Sequence, residues 1–213
     1  MSEESFLFFV SAMRDNKLSH EKKVGRHSFS LVLVVCAFEL LARGMVSEVS
    51  VLGVKIENLF VATLFLPTLA AYFFNNVVVS RFEAQMLSDA LGWVIARRYP
   101  TLYSTGLYAL PVAGDSWMSS GPLDGILDSK WLTRTASAVF SVYAVVIGLG
   151  SIAFAIYANV RLFFLPGSNH YLIVASILMT TFFLAVGITR AVLFSDAWGI
   201  ARQTTTDADS PSS

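Results

Sequence analysis

Between His27 and Arg81 the chain carries two apolar runs separated by a short polar break. Runs of that kind must be covered, either by lipid or by a large protein core. A chain of 213 residues that is 55% hydrophobic and only 14% charged is too poor in polar groups for an ordinary soluble domain. Its mean hydropathy of +0.63 points the same way. The stretch therefore reads as two membrane-spanning helices joined on the far side of a bilayer.

The first span is expected over residues 28–42, between Arg26 and Arg43. Helical rise gives it roughly 25 Å, enough for a hydrocarbon core if the flanking arginines snorkel. Its one acidic residue, Glu39, precedes Arg43 by four positions, the spacing that places two side chains on one helix face. Two readings stay open for this pair. It is a proton or cation site at membrane depth, or a local pair near the interface with both heads reaching water.

The break at 46–57 alternates. With Leu52-Gly53 as a two-residue turn, Val49 faces Ile56, Ser50 faces Lys55 and Val51 faces Val54. One face is then wholly β-branched and the other polar, the pattern of a half-buried antiparallel pair. An isolated hairpin is marginal in water, so its apolar face needs a partner. The ends of its own helices and the same hairpin in a neighbouring subunit are the two choices. The second span is expected over 58–80, with a kink at Pro67, which leaves the Thr63 carbonyl without its helical donor. Asn75 and Asn76 lie near its end, suited to interhelical hydrogen bonding or, less commonly, to a constriction on a permeation path.

Two more apolar runs, 135–160 and 171–189, bring the expected spans to four and place both termini on one side. Lys and Arg decide which side. Arg14, Lys17, Lys22, Lys23, Arg26, Arg81, Arg97, Arg98, Lys130, Arg134, Arg190 and Arg202 fall with the termini, against Arg43, Lys55 and Arg161 opposite. Termini and central loop are therefore expected in the cytoplasm of a cell whose plasma (inner) membrane holds the chain, the compact plan suiting a prokaryote. The expected fold class is an all-α integral membrane protein of four transmembrane helices. A small extracytoplasmic β-hairpin lies between the first two, and a helical cytoplasmic insertion between the second and third.

Around the spans, residues 5–13 form a short apolar stretch, expected as an interfacial helix on the inner leaflet or packed on the bundle ends. Residues 1–26 make a cytoplasmic segment and 27–81 the first transmembrane hairpin. Within 82–134, Phe82, Met86, Ala90, Trp93 and Val94 recur at helical spacing until Pro100. Tyr99, Tyr103, Tyr108 and Trp117 follow, lining a partner groove or forming an interfacial aromatic belt. Residues 135–202 make a second hairpin, and 203–213 a polar tail expected to be disordered.

The third span carries a packing signal. Ser137, Ser141, Ala144, Gly148, Ser151, Ala155 and Ala158 are all small and alternate at spacings of four and three. Such a stripe lets another helix approach closely, either the fourth span or a second copy.

Chemistry is harder to find. The sequence has no Gly-rich phosphate loop, nucleophile elbow or metal-ligand spacing. His20, His27 and His170 fall on both sides of the expected bilayer, so no metal or other cofactor is indicated. Net charge is zero, which gives no reason to expect nucleic acid. Enzymatic activity has no support. Two functions remain: a membrane-anchored interaction or signalling module that binds a cytoplasmic protein through its central loop, and a homo-oligomeric pore or membrane-disrupting effector.

Overall fold

A computed structural model describes residues 3–45, 49–51, 54–56, 59–101, 130–165 and 169–208. They form four long helices: α1 (Glu3–Ala42), α2 (Leu59–Arg98), α3 (Lys130–Leu162) and α4 (His170–Ala208). Each contains a stretch long and apolar enough to cross a bilayer, the plan of a multi-pass membrane protein. The helices have 40, 40, 33 and 39 residues. At 1.5 Å per residue they are about 50–60 Å long, well beyond a hydrocarbon core of about 30 Å.

Cross-contacts show where the excess lies. The rings of His27 and Phe73 are 5.9 Å apart, Ser28 bonds Tyr143, and Gly187 sits against Asn75. Arg26, Arg81 and Arg190 therefore share one level to within about two helical turns. At the other level, Arg161 reaches the Ala42 carbonyl and so stands beside Arg43. Along α1, Arg26 and Arg43 are about 25 Å apart, a membrane thickness. All four helices continue past the near plane, the one on the side of the termini, and stop close to the far plane.

Helix α2 is the centre of the assembly. Along α1 the contacts run in opposite directions (Phe6 with Tyr99, His20 with Glu83, His27 with Phe73), so this pair is antiparallel. Along α4 they rise together (Leu64 with Ser176, Thr68 with Thr180, Asn75 with Gly187), so α4 runs parallel to α2. Helix α3 packs chiefly on α2 and only lightly on α4 and α1. The core is aromatic and aliphatic. Phe38, Leu64, Ala158, Leu162 and Ile173 join all four helices near the far plane, and Leu31, Val34 and Ala70 continue it inward against Phe73, Ile147 and Phe154.

The helix ends follow local chemistry. Gly44, at φ 66°, lets α1 stop in a left-handed turn, with Met45 N donating to Leu40 O and Gly44 N to Leu41 O, both at 3.0 Å. Asn169 caps α4, its Oδ1 accepting from Tyr171 N at 3.0 Å. Between α1 and α2, strands β1 (Val49–Val51) and β2 (Val54–Ile56) pair antiparallel, with Val49 opposite Ile56 and Val51 opposite Val54.

Several expectations need adjusting. Residues 5–13 are the first turns of an unbroken α1 and pack on α2, Val10 and Met13 against Leu91 and Ile95. A segment continuous with the span and held by a partner helix has no freedom to lie along a leaflet. The tail expected from residue 203 begins inside α4, which runs to Ala208. Extending a helix that already exists is easy, even through polar residues. The expected insertion begins as the continuous end of α2, and residues 102–129 lie outside the described residues.

Candidate functional site

Two polar assemblies stand at the two planes. At the far plane, Arg43 Nε donates to Glu39 Oε2 at 3.0 Å, one helical turn apart and open to solvent. The Tyr157 hydroxyl of α3 also reaches this carboxylate. Arg161, a turn further on, donates from Nη1 to the Tyr157 hydroxyl at 2.8 Å and from Nη2 to Ala42 O at 3.4 Å. Its guanidinium lies 5.8 Å from the centre of the Tyr157 ring. The result is a clasp that ties the last turn of α1 to the last turn of α3. Beside it lies a groove of about 490 Å³ lined by Ala42, Tyr157, Val160, Arg161, Phe164 and Leu165.

The near-plane assembly lies in the α1–α2 seam. Lys17 and Glu21 are both buried and 3.5 Å apart. His20 Nδ1 stands 2.8 Å from Glu83 Oε2, an ion pair when the imidazole is protonated, though it lies off the hydrogen-bond axis. His27 lies seven residues on, on the same side of α1, its Nδ1 buried with no hydrogen-bond partner among the described residues. In the sequence both histidines stand on a basic segment, among Lys17, Lys22, Lys23 and Arg26. The i, i+7 repeat turns them onto α2, while Lys22, Lys23 and Arg26 remain exposed.

Each intramembrane amide leaves one buried atom unpaired among the described residues. Asn75 Oδ1 and Asn76 Nδ2 are buried and find no hydrogen-bond partner among the described residues. Asn75 faces α4 at the point where a Cβ on Gly187 would lie 3.4 Å from its Cα. Hydroxyls bind α2 to α4. Ser176 Oγ donates to Leu64 O at 2.8 Å, next to the carbonyl that Pro67 deprives of its donor, and Thr68 and Thr180 hydroxyls meet at 3.2 Å.

The small-residue stripe divides. Ser151, Ala155 and Ala158 are buried, and Ala158 packs with Phe38, Leu64 and Ile173, so its neighbours come from α1 and α2 as well as α4. At Gly148 an added Cβ would meet nothing within 4 Å. Ser137, Ser141 and Ala144 lie on α3, their side chains outside those described. Of the aromatic residues expected to meet a partner, Tyr99 stands against Phe6 with ring centres 5.8 Å apart. Tyr103, Tyr108 and Trp117 lie outside the described residues.

Sequence reasoning marked residues 5–13 as apolar but not that part of this tip stays uncovered beyond the near plane. Residues 6–10 of α1 are apolar on every side, yet α2 covers only the Phe6 and Val10 side. Leu7, Phe8 and Phe9 stay exposed, Phe8 at 77%, as does Trp93 of α2. A helix apolar all round is normally buried, and that was the available signal. Phe8 lies about 27 Å along α1 from Arg26. Among the described residues no group of three His, Cys, Asp or Glu side chains converges on a metal position. Comparison with protein-family models, curated proteins and solved structures finds no match for this chain.

Proposed function

We propose that this chain is a non-enzymatic interaction or signalling module of the plasma (inner) membrane. Its termini and central connection lie in the cytoplasm and the β1–β2 pair lies outside, the orientation that the Lys and Arg distribution favours. The observation that carries this reading is the length of the helices beyond the near plane, ending in exposed Leu7, Phe8, Phe9 and Trp93. Contiguous apolar surface held clear of lipid is characteristic of protein–protein contact. Tyr99 and the connection that follows it emerge at the same tip, so the binding surface combines this tip with the loop. The test is quantitative cross-linking in native membranes. Phe8→Asp, and separately deletion of residues 103–124, should abolish a specific adduct while leaving membrane insertion intact. An adduct that survives both changes would sink the proposal.

The second reading, a homo-oligomeric pore, draws on the open space at Gly148, where α3 offers a smooth surface to another copy. Phe38, Leu64, Ala70 and Phe154 fill the protomer core and Asn75 is buried within it, so a lumen would have to form between copies, with the part-exposed Glu39 facing it. Gly148→Leu should then reduce the mass of the detergent-solubilised complex to that of one chain and stop ion flux from liposomes. Tight liposomes holding inserted wild-type protein would dispose of this reading.

A further inference from the structure

Among the described residues, the groove beside the far-plane clasp has an excess of positive charge that the helix ends do not absorb. Glu39 balances one of the two arginines, Arg43 or Arg161, and leaves the other. Helix C-termini attract cations because their last carbonyls lack donors, and here those carbonyls are supplied. On α1, Glu39 O accepts from Arg43 N, Leu40 O from Met45 N, Leu41 O from Gly44 N and Ala42 O from Arg161 Nη2. On α3, Val160 O, Arg161 O and Leu162 O accept from Phe163, Phe164 and Leu165 N. Arg161 spends one N–H on Ala42 and one on Tyr157, out of the five that a guanidinium carries. The two contacts hold it in the groove wall, half-buried, with net charge to spare.

The surroundings define what fits. The groove is at headgroup level, its other walls are Val160, Phe164 and Leu165, and Phe164 is 81% exposed at the rim. Below it on the outer face of α3, Ile156 and Leu149 are exposed at the depth of acyl chains. An anion with planar or tetrahedral oxygens matches the guanidinium fork, and an attached hydrocarbon chain matches the strip beneath. We propose that this groove binds a phospholipid, with its phosphate on Arg161 and an acyl chain along α3. The proposal rests on the chain spanning a bilayer, and depends neither on orientation nor on a cytoplasmic partner.

Native mass spectrometry of the full chain tests it. Phosphatidylglycerol titrated into delipidated protein should give a discrete adduct, reduced about tenfold in Arg161→Gln, as loss of a charge-assisted hydrogen bond implies. Diacylglycerol, which has the chains without the phosphate, should give none. Val160→Trp crowds the groove while leaving the clasp untouched, so it should also lose the adduct even if Arg161→Gln fails to fold. Lys22→Gln with Arg26→Gln, at the other plane, should retain it. Equal adducts in wild type and Val160→Trp would overturn the site. Inorganic phosphate binding as tightly as the lipid, and dependent on Arg161, would overturn the lipid and assign the groove to a free anion. Membrane insertion, followed separately by carbonate extraction, distinguishes failure of the site from failure of the membrane reading.

Discussion

The two flanks of α2 are built from different materials. Against α1 it packs large side chains and charges: Leu91 and Ile95 on Val10 and Met13, His20 beside Glu83, and the buried Lys17–Glu21 pair. Against α4 it uses small residues and hydroxyls: Ser176 on the Leu64 carbonyl, Thr68 on Thr180, and Gly187 against Phe74 and Asn75. The difference follows the medium. The first seam's charged contacts and the cluster of Val10, Met13, Leu91 and Ile95 lie past the near plane, where water makes burial of apolar surface favourable. The second lies at membrane depth, where lipid tails are as apolar as leucine and only close packing and hydrogen bonds favour association.

Three sets of substitutions sharpen or break that contrast. The largest effect is expected at the buried ion pair. Lys17→Met should destabilise the α1–α2 contact by about 3–5 kcal/mol because it strands the Glu21 charge, while Lys17→Met with Glu21→Leu should return close to wild type. Denaturant titration in detergent, with proteolysis of the exposed helical ends as readout, measures both. A double variant as weak as the single one would show that the pair is needed for more than mutual neutralisation.

Next come the glycines. A Cβ at Gly187 would stand 3.2 Å from a Phe74 ring carbon and 3.4 Å from the Asn75 backbone, whereas one at Gly25 would meet nothing within 4 Å. Gly187→Leu should therefore cost about 1–3 kcal/mol of overpacking. Gly25→Ala should stabilise α1 by about 0.5–1 kcal/mol through backbone entropy. The same titration ranks them, and equal responses would erase the distinction between the two flanks. The smallest effect is expected for Ser176→Ala, about 0.6 kcal/mol, the usual worth of one interhelical hydrogen bond in lipid. A loss of several kcal/mol there would mean that the bond to the Leu64 carbonyl secures the helix around Pro67 as well.

The four spans were legible because an apolar run of membrane length has few alternatives. The helical excess was less so. Residues 191–208 carry no long apolar face, and α4 continues through them by extension of a helix already formed. The choice of neighbours was not legible. The stripe on α3 is a stronger pattern than Ser176, Thr180 and Gly187 on α4, yet α4 settles on α2, where the Leu64 carbonyl and the Thr68 hydroxyl offer bonding groups. The far-plane clasp was half visible. Glu39 and Arg43 are one turn apart, but the Arg161 guanidinium that closes on Ala42 comes from 119 residues further along.

Hydropathy and local spacing, which act within a turn or two of chain, determined by themselves that this protein has four membrane-length helices and where charged residues flank them. The tertiary structure decided the rest: that α2 is central, that α4 lies parallel to it, that two histidines turn inward, and that Arg161 stands in a groove. Each of these depends on which surfaces meet across long stretches of chain. A small stripe fits several partners almost equally well, so only the packing of all four helices together selects one.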